Sequence, residues 1–177
     1  DLSGRKLREG QLEQARFIGV NLAGADLTGS NLRGATFVSC SLEGANLSRC
    51  NLSEASAVMC ELAGAQLDGA NLAKTNLAEA KLRGVSLAAA NLEGTVLVRA
   101  DLSGATLKGQ RFEMVVLNEA NLAEADLSES SFHACMLTGA SLRNARLAQS
   151  RVELTHMGEA DLRGADMSEA TFELVNL

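Results

Sequence analysis

The large apolar residues of this chain recur every five positions. In NLAGADLTGSNLRGATF, residues 21–37, they are Leu22, Leu27, Leu32 and Phe37. Counted from Leu2 in steps of five to Leu177, all 36 such positions are apolar: 27 Leu, five Phe, two Met, one Val and one Ala. No insertion or deletion shifts the register. Positions five apart fall on opposite sides of a strand. On a helix they miss the starting face by roughly 140°. Neither regular element buries this set, so the pattern predicts an internal repeat that turns once every five residues.

The positions around each large residue, here termed the centre, complete the picture. Two residues before a centre the side chain is small: of 35 such positions 18 are Ala, four Val, four Cys, three Ser and three Thr. On a short extended segment that residue points the same way as the centre, so one large and one small side chain pack inward together. The other three positions point outward and carry nearly all the charge. Two residues after a centre stand 14 of the 16 glycines, where a type II turn demands positive φ. Each pentapeptide therefore reads as one straight side and one corner.

Three features recur at twenty residues or its multiples: the glycines from Gly4 through Gly24 to Gly104, the aromatics Phe112, Phe132 and Phe172, and the outward residues Ile18, Val38, Val58 and Val98. Four sides thus close one lap, and the 177 residues form a single domain, 1–177, of about nine coils. Coils stacked as parallel neighbours ~4.8 Å apart give an all-β rod roughly 40 Å long. Its four faces are named here for the first centre on each: Leu2, Leu7, Leu12 and Phe17. Three residues depart from the frame. Arg5 and Gln110 occupy small inward positions, and Ala57 replaces a large centre. Arg5 is expected to fray or cap the first coil, and Gln110 to need a buried partner, a water or a local bulge.

Stretches such as AGADLTGSNLRGATF, AGAQLDGANLAKTNLAEAKLRG and NEANLAEADLSESSF resemble the A(D/N)LxX repeat of the pentapeptide repeat proteins, and the resemblance runs the whole length of the chain. It implies a right-handed quadrilateral parallel β-helix, the handedness coming from the resemblance alone. Asp or Asn precedes 15 of the 36 centres, Asn21, Asp26, Asn31 and Asn71 among them; such side chains bond nearby backbone groups in turns. Some members of the family resemble duplex DNA in shape and negative charge and bind DNA gyrase, so a DNA-mimic inhibitor or protector of gyrase is one implied function. A mimic concentrates acidic charge along a surface. Here the four faces carry net charges of −2, −1, −2 and −1, and the Leu7 face mixes seven acids with six bases. No helical tail follows the repeats and no loop interrupts them.

The net charge of −6 disfavours direct nucleic-acid binding. No run of ~18 apolar residues is present to span a membrane. The chain begins at Asp1 with no visible signal peptide, and nothing covers the terminal coils, so flanking segments are expected to be missing; the repeat region of a secreted bacterial effector is a further alternative. All four cysteines (Cys40, Cys50, Cys60, Cys135) sit at small inward positions. That favours reduced thiols and a cytoplasmic location over a disulfide framework.

The Phe17 face stands out, with only five charged side chains. Ile18, Val38, Val58 and Val98 follow its centres, Val96, Val116 and Met136 precede them, and Met59 lies at a corner. β-Branched residues suit strand pairing, and an exposed apolar stripe also marks a contact surface. Those eight residues are the candidate protein-interaction stripe. The expected partner is another protein or a second copy, bound through this face or through the coil ends. Candidate chemistry is sparse. His133 projects from the Leu12 face, His156 from the Phe17 face, and Cys135 inward, so they do not converge on a metal or form a nucleophile pair. Arg111, Glu113, Arg151 and Glu153 read as a solvated ion-pair ladder. A rod filled with Leu has no room for a substrate. The sequence therefore predicts no catalytic, cofactor-binding or metal residues, and a non-catalytic binding or scaffold module.

Overall fold

The computed structural model describes residues 1–176; Leu177, the last expected centre, lies outside the described residues. The chain winds as an all-β, right-handed quadrilateral parallel β-helix. Pairing is offset by twenty residues along the whole rod, from Lys6↔Asp26 through Asn31↔Asn51↔Asn71↔Asn91 to His156↔Asn176, always parallel. Leu22 and Leu42 are neighbours on successive laps, and the Leu22 N–H donates to Ser41 O at 2.7 Å. Six segments lengthen into three-residue strands: β1 (Arg16–Ile18), β2 (Thr36–Val38), β3 (Arg111–Glu113), β4 (Ser131–His133), β5 (Arg151–Glu153) and β6 (Thr171–Glu173). β1 and β2 pair on the Phe17 face, and β3-β4-β5-β6 form a four-stranded sheet on the Leu12 face.

The centres fill the interior. Every centre from Leu22 to Met157 is buried, and the small residues beside them, such as Ala25 and Ala35, are buried too. Leu2, Leu7, Leu12 and Phe17 at one end, and Leu162 and Phe172 at the other, are only partly covered. Each buried Leu contributes on the order of 1.5–3 kcal/mol before ordering entropy is subtracted. Phenylalanines meet ring on ring, Phe17 on Phe37 at 4.8 Å and Phe112 on Phe132 at 4.4 Å between centroids. Several inward hydroxyls and thiols donate to the carbonyl of a centre 23 residues earlier: Thr75 to Leu52 O (2.7 Å), Thr95 to Leu72 O (2.8 Å), Cys50 to Leu27 O (2.9 Å). All four cysteines are free thiols. Burial pushes Cys50 and Cys135 up to about 11.

The three departures resolve differently. Arg5 points to solvent while its carbonyl accepts from the Asp26 N–H at 2.8 Å, so the first coil stays in register and merely lacks an inward side chain there. Ala57 leaves a small apolar cavity of about 20 Å³ bounded by Phe37, Leu52, Leu72 and Leu77. Gln110 is buried and finds a protein partner, its Nε2 donating to Ala90 O at 2.6 Å.

Every residue two past a centre is left-handed, from φ 49° at Leu154 to 73° at Gly164; 14 of these are Gly and 21 are not. None of the 21 is β-branched, as expected where a branched Cβ would clash. Most corners close tightly, the N–H of the next small residue donating back to the centre's carbonyl, as Ala25 does to Leu22 O at 2.9 Å. That bond is missing at Phe17, Phe37, Phe112, Phe132, Val152 and Phe172, which are the middle residues of β1 to β6, and at Leu7 in the first coil, where the Gly10 N–H donates to Ser30 Oγ at 3.0 Å instead. Aromatic and β-branched side chains favour the extended backbone, so the identity of the centre sets how sharply the chain turns after it. Before the centres, each Asp or Asn from Asp1 to Asp166 accepts the N–H two residues on, for example Asn21 from Ala23 (3.0 Å) and Asp101 from Ser103 (3.0 Å).

Candidate functional site

The eight residues of the stripe lie on one face but not in one line. Ile18, Val38 and Met59 are well exposed, Ile18 at 62% and Met59 at 64%, while Val58 is half-buried beside them. This first cluster follows the centres of the first three coils. Val96, Val98 and Val116 are half-buried and Met136 is exposed. Apart from Val98, this second cluster precedes the centres and so lies along the opposite edge of the face. The stripe therefore crosses the face diagonally, changing edge at Val96 and Val98.

The structure adds residues to the second cluster that the sequence reading passed over. Met114 (50% exposed), Leu154 (49%) and Leu174 (81%) are corner residues of the Leu12 face. That corner adjoins the edge of the Phe17 face where Val116 and Met136 stand. Reading corners as glycine positions hid them. The available signal was the side chain itself, because this corner otherwise carries Gly or polar residues in the first five coils: Gln14, Gly34, Glu54, Lys74 and Gly94. Each of the three holds a left-handed backbone, at 53°, 49° and 52°, which costs an L-residue about 1–2 kcal/mol. None recovers that cost by burial.

The polar surroundings separate this edge from its neighbours. On the far edge of the Phe17 face the Arg99 guanidinium grips Glu119 at 2.8 and 3.3 Å, one coil apart. That pair lowers the Glu119 carboxyl and raises Arg99. On the Leu12 face the expected ion-pair ladder runs differently. Arg111 bonds Glu113 (3.2 Å) and Arg151 bonds Glu153 (2.5 Å), each within its own strand, while Arg151 reaches Glu173 of the next coil only at 3.9 Å. Residues before and after one centre project from the same side of a strand's flank, so the long guanidinium reaches over the intervening backbone. His133 sits between the two carboxylates, Nε2 3.9 Å from Glu113 and Nδ1 3.6 Å from Glu153. Its two ring nitrogens address different partners, which is a bridging arrangement rather than a chelate. Cys135 turns inward, its thiol 3.5 Å from Phe112 O and raised by burial, so His133 and Cys135 lie on opposite sides of the chain. Among the described residues no helix is long and apolar enough to cross a membrane.

Comparison with known proteins covers the entire chain. The family model described as "Pentapeptide repeats (8 copies)" matches residues 1–34, 30–64, 60–97 and 76–113, and that of the "Pentapeptide repeat region" matches residues 105–177. Among solved structures, HetL from the cyanobacterium Nostoc sp. strain PCC 7120, a pentapeptide repeat protein involved in heterocyst differentiation regulation, is 30% identical. The match covers 98% of this chain and 87% of HetL, with a TM-score of 0.66. QnrB1, a plasmid-mediated fluoroquinolone resistance protein, is 19% identical over 96% of this chain and 89% of its own, with a TM-score of 0.76. No curated protein sequence matches the chain.

Proposed function

We propose, from the premise that this chain belongs to the pentapeptide repeat family, that it is a non-catalytic module that binds another protein along the apolar edge between its Leu12 and Phe17 faces. One observation carries the reading. Met114, Leu154 and Leu174 are exposed apolar side chains on left-handed corners, where Gly or a polar residue serves the fold better. Together with Val116 and Met136 they extend the uncharged surface into the second half of the rod. HetL, at 30% identity, is described as taking part in regulation, which accords with a binding role rather than a chemical one.

Gyrase binding by DNA mimicry is the second reading. The fold likeness to QnrB1, at 19% identity, bears on architecture alone. Several acidic side chains here are paired with a base, as in Lys81–Glu61 (2.8 Å) and Arg33–Glu54 (2.9 Å), which weighs against a continuous negative surface. Affinity capture with the wild type, with Met114→Glu/Leu154→Glu, and with the Leu7-face control Thr28→Glu/Ser48→Glu separates the possibilities. The binding reading expects a partner lost only with the first pair. A partner retained by all three proteins overturns it, and inhibition of supercoiling by the wild type would favour mimicry instead.

A further inference from the structure

Among the described residues, single inter-coil bonds are lacking at Ser39 and at Ser86, but a run of three is lost at one place. Between coils 81–100 and 101–120, around the corner joining the Leu7 and Leu12 faces, three consecutive inter-coil bonds of the usual pattern are absent: those donated by Ala89, Leu92 and Arg111. Asn91 has no bridge to Arg111, although Asn71↔Asn91 before it and Arg111↔Ser131 after it are paired. The side chain of Gln110 fills part of the gap, Nε2 donating to Ala90 O (2.6 Å) and reaching Arg111 O (3.4 Å). Outside, the separation shows as an open groove of about 470 Å³. The cause is local. Above the break the Leu12 face has tight corners on leucine centres, and below it begins the extended run of β3 to β6 on Phe112. Where the extended β2 meets the tight Ala57 corner on the Phe17 face, Thr36↔Ser56 stays paired and only the bond from Ser39 is lacking; here, where Gln110 also stands inside the junction, three are lost.

The diagonally opposite corner is closed. There the Leu97 N–H donates to Val116 O (2.7 Å), Leu102 to Asn121 O (2.7 Å), and the Arg99–Glu119 pair spans the same two coils. We propose that this seam is a hinge. The rod is two stiff blocks, 1–100 and 101–176, which bend about the Arg99–Glu119 corner, and the Gln110 carboxamide is the latch that limits how far the Leu7–Leu12 corner opens. Opening places the Phe17 and Leu2 faces on the inner side of the bend, so the hinge sets the curvature of the rod where the apolar stripe changes edge. This inference goes beyond the binding role and does not depend on it.

Hydrogen exchange tests it at amides that do hold ladder bonds on the two rims of the gap: Leu87 to Thr106 O (3.3 Å) and Gly94 to Glu113 O (2.9 Å). After correction for intrinsic rates, both should exchange at least tenfold faster than Leu47 and Glu54, their equivalents two coils earlier, which donate at 2.8 and 2.9 Å. Gln110→Ala with Phe112→Leu restores the common residue at each position and should remove that difference. Gln110→Glu, which sets a carboxylate against two carbonyls, should enlarge it. Equal protection of the two pairs in the wild type, or rim exchange unchanged in both variants, overturns the hinge.

Discussion

The Leu12 face is built in two ways along its length. From Asn31 to Leu92 its corners are tight, its centres are leucines, and a ladder of asparagines climbs the outside: Asn51 to Asn31 (3.4 Å), Asn71 to Asn51 (3.2 Å), Asn91 to Asn71 (3.1 Å). From Arg111 to Glu173 the same face is a four-stranded sheet with Phe and Val centres, open corners, and Arg–Glu pairs in place of the amides. One five-residue frame thus supports two shapes. The difference teaches that the central side chain, rather than the corner residue, selects between them. Glycine and non-glycine corners adopt the same left-handed φ in both halves of the rod, whereas the closing hydrogen bond follows the centre everywhere but at Leu7, where Ser30 Oγ takes the Gly10 N–H.

The largest test removes that side chain. Phe132→Ala should cost about 3–5 kcal/mol by the cavity it leaves, read as a fall in the denaturant midpoint. Phe132→Leu keeps most of the volume and should cost less than about 1.5 kcal/mol. It should also let the Cys135 N–H, which now bonds Thr155 Oγ1 at 3.3 Å, donate to the carbonyl of residue 132. A corner that stays open in an NMR or crystal structure of Phe132→Leu would break the comparison at its root.

The asparagine ladder gives the next contrast. Asn71 accepts the Ala73 N–H at 3.2 Å and bonds both Asn51 and Asn91, so Asn71→Ala should lose about 1–2 kcal/mol. Ser131, its counterpart in the lower half, has no side-chain bond of this kind among those described, and Ser131→Ala should stay within about 0.5 kcal/mol. Equal losses in thermal or chemical melts would mean that the ladder adds nothing beyond the shared backbone pairing.

Acid sensitivity should show the smallest difference between the halves, and it lies on the adjoining Leu7 face. The Thr28 hydroxyl, and then Arg8 at 2.5 Å, hold Asp26 down to about 2 from its usual 3.8. Asp126, in the lower half, is also lowered: burial opposes ionisation there, but the Ser128 hydroxyl and N–H outweigh it. Because the folded pKa of Asp26 is depressed, its contribution is present above the unfolded value. It is lost as pH falls from near 4 towards 2. Melting temperatures of wild type and Asp26→Asn should differ at pH 7 and converge near pH 2. A gap that persists at pH 2 would show that the carboxylate's charge is not the source.

Much of this was legible in one dimension. The inward columns, the left-handed corners and the Asx bonds follow from residue types at fixed offsets, as Ala25, Gly24 and Asn21 illustrate. The candidate site was half legible. Ile18, Val38 and Met59 announced themselves by being apolar at outward positions. Met114, Leu154 and Leu174 did not, because their importance lies in which neighbouring face their corner adjoins. The in-strand pairing of Arg151 with Glu153 was hidden for a related reason: it depends on a side chain's reach rather than on its column.

By itself the sequence determined the lap of twenty residues and the division of every repeat into inner and outer positions. The unbroken period of five requires a turn in every repeat, the recurrences at twenty set four turns to a lap, and sterics at each corner act within a few bonds. Tertiary structure alone decided how sharply each coil turns against the one beneath it, where unlike coils part at Gln110, and how the apolar edge is assembled from two faces. Those outcomes arise between residues twenty or more apart, where the shape of one lap is judged by its fit to the next.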